Sequence, residues 1–429
     1  MSKTNSSRKF HRLFLILCLS GLFHISYAQN FGNSPYSQVG IGEMLGSTFS
    51  HQAGMGGVGV SNNSISLLNI YNNINPALLA RNRLTVFEAG VLGQVKTLKN
   101  TNDSQQDAGG SYNYLALSFP IGKVWATGIG LTPYSTINYE SRSRINIVNS
   151  DFSTDLTQKG EGGVNSIFIT NSVAIFKKLF IGLKVNWLFG SIINESSSEL
   201  FLGSSPLRTT VTYFNRTRVN DLLLEPGVSF QQNLGKNLFL NLGGTFSMAT
   251  NLNAKRFVSF DRRNDNDIIL VQDTLTNNQA TSIDMPNRLR FGASIERAYR
   301  WQLGADVILE NWSAFKVNNS TTNLSNIYGV AIGGEYTPNV SSLNNYWKRV
   351  TYRAGFKYKQ NPINPEQVQD MSISFGVSLP VQKNRSLLNL SVVLGQQGRI
   401  SDGLVQERYV RIHLGATLND RWFVKPKID

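Results

Sequence analysis

The chain has 429 residues, a formal charge of +14, four histidines and one cysteine. Its lysines and arginines are scattered and no recognition motif accompanies them, so the charge does not point to nucleic acid; a solvated surface accounts for it, with anionic lipid headgroups as a second outlet. Glycine is plentiful, aromatics make up 10% of the chain and charges only 16%, a balance shared by large soluble β-proteins and by barrels whose polar interior dilutes a lipid-facing exterior.

Lys3, Arg8, Lys9 and Arg12 precede an apolar stretch from Leu13 to Phe23, and Ser26-Tyr27-Ala28 offers a small-x-small cleavage site. Residues 1–28 read as a cleaved secretion signal. A lipoprotein signal acylated at Cys18 is the competing reading, but Leu17 before it is too bulky and the apolar core would be cut short. Cleavage after Ala28 lowers the charge by four to +10 and removes the only cysteine, leaving no thiol, disulfide or cysteine metal site.

Residues 29–83 are rich in Gly and Asn and show little alternation. Gly54-Met55-Gly56-Gly57-Val58-Gly59 formally matches G-x-G-x-x-G. A dinucleotide site would also need a preceding strand, a following helix and an acidic residue about 20 positions on. Ser61-Asn62-Asn63-Ser64 opens a helix poorly and the next acidic residue is Glu88. The reading kept is that Gly54, Gly56, Gly57 and Gly59 let the segment fold closely inside a cavity.

After the signal no apolar run approaches the roughly 20 residues of a spanning helix, so strands must do any spanning. From Leu84 onward about fourteen candidates have period two. Leu179, Ile181, Leu183, Val185, Trp187 and Phe189 share one face, with Gly182, Lys184, Asn186 and Gly190 on the other. Leu238 to Met248, Met371 to Leu379 and Leu388 to Gly395 repeat the pattern, and Val410 to Leu418 closes it shortly before Trp422-Phe423. A soluble sandwich alternates in the same way, so the links decide. Tight links at Ile121 to Lys123, Phe176 to Lys178, Gly235 and Tyr299-Arg300 alternate with long polar ones at Lys99 to Gly109, Ser141 to Gly162, Ser196 to Asn220, Leu252 to Met285 and Lys316 to Ser325. Short periplasmic turns and long outer loops belong to an up-and-down outer-membrane barrel. Pro338 to Lys348 breaks the rule, a long link where a short one is due, and leaves room for a miscounted strand.

Asn75-Pro76-Ala77-Leu78-Leu79, followed by Arg83-Leu84-Thr85-Val86-Phe87-Glu88-Ala89-Gly90, resembles the junction of hatch and first strand in FadL/TodX-type outer-membrane transporters of long-chain fatty acids and other hydrophobic compounds. Arg300 to Asp306, Asn311 to Phe315 and Asp284-Met285-Pro286 are similar to later strands of that family. The resemblance implies an all-β, transmembrane antiparallel barrel of about fourteen strands spanning residues 84–423, a lumenal hatch at 29–83 and a short C-terminal tail at 424–429. It implies passive uptake in the outer membrane of a Gram-negative cell, by lumen binding, hatch movement at Asn75, Pro76, Ala77 and the glycine run, and lateral release. The opening would lie where the third strand, Trp125 to Tyr139, carries Gly128, Gly130 and Pro133; Pro133 at the strand's outer end, in a loop, is the plainer alternative. The expected partners are the lipid bilayer, lipopolysaccharide and a hydrophobic ligand, with no cofactor. The alternative function on the same fold is a structural or adaptor subunit of an outer-membrane secretion or protein-assembly complex.

Alternation places Arg288, Arg290, Asp306, Glu310, Glu335, Arg353, Lys357 and Arg411 inward. Internal ion pairs are the first reading of such groups, since buried charges are normally paired. Capture of a substrate carboxylate by Arg288, Arg290, Arg353 or Arg411 is the second. The chain is not expected to be an enzyme: residues 29–429 hold only His51 and His413, with no H-E-x-x-H, G-x-S-x-G or Walker pattern.

Overall fold

In a computed structural model of the chain, the period-two segments after Leu84 pair in an antiparallel order that returns on itself. The structure describes residues 32–422 apart from 46–47, 63–68, 203–204, 265, 319, 364–365, 367 and 382–385; the signal at 1–28, Cys18, Phe423 and the tail at 424–429 lie outside the described residues. A two-residue strand, β1 (Glu43–Met44), precedes the wall. The wall begins with β2 (Thr85–Lys99), β3 (Ser104–Pro120), β4 (Trp125–Asn146), β5 (Phe152–Ile175), β6 (Leu179–Leu202), β7 (Ser205–Gly235) and β8 (Leu238–Ser247). An outer hairpin, β9 (Thr250–Arg263) and β10 (Ile269–Met285), intervenes before β11 (Arg288–Arg297) and β12 (Trp301–Glu310). A second, minimal hairpin follows as β13 (Lys316–Val317) and β14 (Ser320–Thr321), and β15 (Ile327–Tyr336), β16 (Thr351–Gln360), β17 (Gln369–Val381), β18 (Ser386–Gln397) and β19 (Gln406–Asp420) complete the wall. β8 pairs with β11 beneath the outer hairpin, and β19 pairs with β2 from Gln406↔Lys99 to Asp420↔Thr85. Fourteen staves therefore close without a free edge across the membrane.

The direction of the side chains separates this barrel from a sandwich. On β19 Val410, Ile412, Leu414 and Leu418 are 39–49% exposed, whereas His413 and Thr417 are buried. A soluble sheet would bury the apolar set. Here the apolar side chains face out and the polar ones in, which is stable only where the surroundings are lipid.

The predicted long links are for the most part not loops. β4 and β5 stay paired out to Asn146↔Ser153, and β6 and β7 out to Leu202↔Ser205. Strands of 22 to 31 residues far exceed the roughly 10 needed to cross a membrane. The Leu252 to Met285 link holds β9 and β10, with β9 paired to the outer half of β7. Period two marks a strand only when one face is apolar, and beyond the membrane both faces meet water, so these ladders read as polar linkers. The link at Pro338 to Lys348 carries one 3-10 turn, Tyr346–Arg349, and no additional strand.

Candidate functional site

The described residues between 32 and 83 lie against the inner wall, and glycines on the wall set how closely. The helical turn Ser50–Ala53 runs into Gly56 and Gly57, both at positive φ (70° and 82°). Gly333 and Gly355, paired across β15 and β16, face this turn. A Cβ on Gly333 would stand 2.1 Å from the Met55 carbonyl oxygen, and one on Gly355 2.1 Å from the Met55 carbonyl carbon. Hydroxyls complete the contact: the Gly56 amide donates to Ser374 Oγ at 2.8 Å and Ser391 Oγ donates to the Ser50 carbonyl at 2.6 Å. Further round the wall, Asp306 Oδ2 accepts from the Gly59 and Val60 amides at 2.7 and 3.0 Å.

The Asn75-Pro76-Ala77 motif has its own seat. Asn75 Oδ1 accepts from the Ala77 amide at 3.0 Å and caps the 3-10 helix Pro76–Arg81, while Nδ2 donates to the Val60 and Val228 carbonyls. Gly182 and Gly227 on the wall leave space for it, since a Cβ on either would come within 2.4 Å of Pro76 or Asn75. Asn75→Ala is expected to weaken this seat by about 1–3 kcal/mol, because the Val60 carbonyl and Ala77 amide lose buried partners. Hydrogen exchange should then speed up at Ala77 with the folded barrel's gel migration unchanged; equal protection in both proteins would refute the tie.

Pro133 lies within β4 and not at its outer end. β3 pairs with β4 only from Leu115↔Leu131 to Pro120↔Ala126, and the ladder to β5 slips between Pro133 and Ser135. Proline has no amide hydrogen to give, so a break there follows from its chemistry. Above the break the N-terminal segment takes the place of β3: Met44↔Ser135 and Glu43↔Thr136 pair, and the Ser34 amide donates to the Asn138 carbonyl at 2.8 Å. The wall thus has a seam between β3 and β4, lined from within by residues 33–45. Gly128 and Gly130 sit below it in the paired stretch, against the Tyr71 and Phe168 rings. They make room for the buried aromatic cluster of Phe49, Tyr71, Tyr114 and Phe168.

Three of the four candidate arginines are paired. Arg288 donates to Tyr134 Oη at 2.8 Å and approaches Glu225 at 3.4 Å, with Lys184 on the same carboxylate at 2.6 Å. Arg353 pairs with Glu335 at 3.0 Å, and Arg411 pairs with Glu43 of β1. Arg290 makes no hydrogen bond or ion pair among the described residues. Sequence reading missed Lys96, which joins Glu43 at 3.5 Å and Glu407 at 3.1 Å, because pairing across a barrel has no period along the chain. Burial alone would raise the Glu43 carboxyl, but Lys96 and Arg411 overcome it and hold it at about 2. His413 faces Asn113 Nδ2 at 3.3 Å, and His51 Nδ1 lies 3.9 Å from Glu88. Arg288, Arg290, Arg411, Glu43 and His413 are among the residues that bound a cavity of about 190 Å³, between the described part of residues 36–57 and the wall.

A family model named BamG matches residues 9–429. The chain belongs to the BamG family. Among solved structures, this BamG-family chain resembles the Pseudomonas putida toluene transporter TodX, with 16% identity over 88% of this chain and 99% of that one and a TM-score of 0.57. A Pseudomonas aeruginosa FadL homologue gives 15% over 88% and 99%, also at 0.57, and the CymD monoaromatic hydrocarbon channel 15% over 87% and 97%, at 0.54. No curated protein matches in sequence. At these identities the likeness carries the fold: the BamG-family chain is a closed outer-membrane barrel of the FadL/TodX type, and the barrels it resembles are named as channels and transporters rather than enzymes.

Proposed function

We propose that this barrel acts as a structural or adaptor subunit of an outer-membrane secretion or protein-assembly complex, with its N-terminal segment as a standing plug. The seating of that segment carries the proposal. Wall glycines meet the backbone of this segment at Met55, Val60 and Pro76, and Asp306, Lys184 and Arg411 reach across to it, Arg411 onto Glu43. Moving it would uncover buried amides and break paired charges together. The cavity between this segment and the wall, about 190 Å³, is below the roughly 300–1,000 Å³ of small-molecule sites. Ladders rising beyond the membrane from β4 to β7, β9 and β10 give a partner a stiff surface. Mass spectrometry after gentle detergent extraction tests this: stoichiometric protein partners without lumenal lipid are expected. A lone barrel carrying acyl lipid, with hydrophobic-compound uptake lost on deletion, would overturn it.

A second reading is favoured by the seam at Pro133. Passive uptake of long-chain fatty acids or other hydrophobic molecules would use it for lateral release into the bilayer, after lumen binding and a shift of the segment that lines it. Burial along such a route is worth about 0.8 kcal/mol per CH₂. The same experiment separates the two readings, because lumenal lipid belongs only to the second.

A further inference from the structure

We propose that the lumen cavity beside Arg290 binds a compact oxyanion, a phosphate or phosphate monoester. The inference rests on neither functional reading. Five cations line the cavity, Arg288, Arg290, Lys357, Lys359 and Arg411, against three carboxylates, Glu43, Glu310 and Asp370. Each carboxylate is already engaged. Glu43 takes Arg411 and Lys96; Glu310 takes Lys359 at 3.1 Å and the Trp312 indole at 2.7 Å; Asp370 accepts from Tyr409 Oη at 2.5 Å and has Lys357 only at 3.9 Å. Arg288 is spent on Glu225 and Tyr134. Asp306, the next carboxylate on the wall, accepts from the Gly59 and Val60 amides at Oδ2, while its Oδ1 has no hydrogen-bond partner among the described residues. Arg290 is thus left without a direct hydrogen bond or ion pair among the described residues, its charge met only at longer range by Glu310, Glu225 and Asp306, and Lys357 has only a distant carboxylate.

A guanidinium inside the barrel, beside Ile308 in the ladder and lining this cavity, is costly unless a counter-charge joins it. With Arg288 committed to Glu225, four lining cations stand against three carboxylates, an excess of positive charge that an oxyanion meets. Guanidinium binds such an oxyanion through two parallel N–H donors, and an ammonium adds a point charge. The cavity of about 190 Å³ has room for a compact anion with its waters, each needing roughly 10–15 Å³ of such space. Gly329, in the cross-strand row Arg290↔Ile308↔Gly329↔Lys359, makes room for the Lys359 stem, since a Cβ there would stand 3.3 Å from Lys359 Cγ.

Calorimetric titration of inorganic phosphate into the detergent-purified protein at low chloride tests the site. Arg290→Gln is expected to weaken binding by about tenfold or more and Lys357→Gln by a smaller factor, while Lys123→Gln at an exposed turn leaves it unchanged. Heat-modifiable gel migration shows that each variant is folded. Glucosamine 1-phosphate separates the sources: tighter binding than inorganic phosphate assigns the site to a lipid headgroup, and equal or weaker binding to free phosphate. Absence of phosphate binding at millimolar concentration, full affinity in folded Arg290→Gln, or decanoate binding more tightly at the same residues would each overturn the proposal.

Discussion

Gly355→Leu is expected to unseat the N-terminal segment while leaving the barrel closed. The new Cβ would stand 2.1 Å from the Met55 carbonyl carbon and 2.2 Å from the Gly56 nitrogen. Both obstacles are backbone, so no rotamer change relieves the clash. Local retreat is blocked as well, because Gly56 and Gly57 hold a positive-φ turn and Gly333 bears on the Met55 oxygen. The segment must move as a unit, losing the Gly56–Ser374 and Ser391–Ser50 hydrogen bonds. Overpacking ordinarily costs about 1–3 kcal/mol, and a side chain driven into two backbone atoms belongs at or above the top of that range. The wall is spared, since Gly355 is held to Gly333 and Ser374 by the backbone ladder, which a side chain at 355 leaves in place. Rapid proteolysis near residues 50–60, with wild-type heat-modifiable migration, is the expected result. Gly93→Leu is the control, because nothing lies within 4 Å of a Cβ there. Wild-type protease resistance in the Gly355 variant would show that the glycine row does not set the fit.

The same row shows where sequence reading stops. Leu179 to Phe189 and Val410 to Leu418 were legible as staves because lipid demands one apolar face. β9, β10 and the outer halves of β4 to β7 were not, since water on both faces removes the alternation while the backbone ladder persists. The glycines at 54, 56, 57 and 59 were readable as close-packing residues; their partners were not, because Gly333, Gly355 and Gly243 look like ordinary inward positions. Pro133 announced a break, but not that β1 would line it. Arg288, Arg353 and Arg411 were correctly expected to face inward, yet their carboxylates lie up to 368 residues away, a distance no local pattern spans.

The largest electrostatic effect is expected at Glu225. Its carboxylate on β7 holds Lys184 of the neighbouring β6 at 2.6 Å and Arg288 of β11 at 3.4 Å, and accepts from Asn186 Nδ2 at 3.0 Å. It therefore ties staves on either side of β8. Lys184 extends the tie to the N-terminal segment by donating to the Asn73 carbonyl at 3.0 Å. Glu225→Gln keeps the shape but leaves two buried cations without their charge partner, at a cost of about 3–5 kcal/mol. Adding Lys184→Met should recover part of that loss, since one stranded charge is removed, while Arg288 keeps the Tyr134 hydroxyl. The two substitutions are therefore expected to couple by about 1 kcal/mol or more. Urea unfolding from liposomes of the two single variants and the double variant measures this. If the double variant instead loses the sum of the two single effects, Glu225 and Lys184 act independently and the charge tie across this wall is refuted.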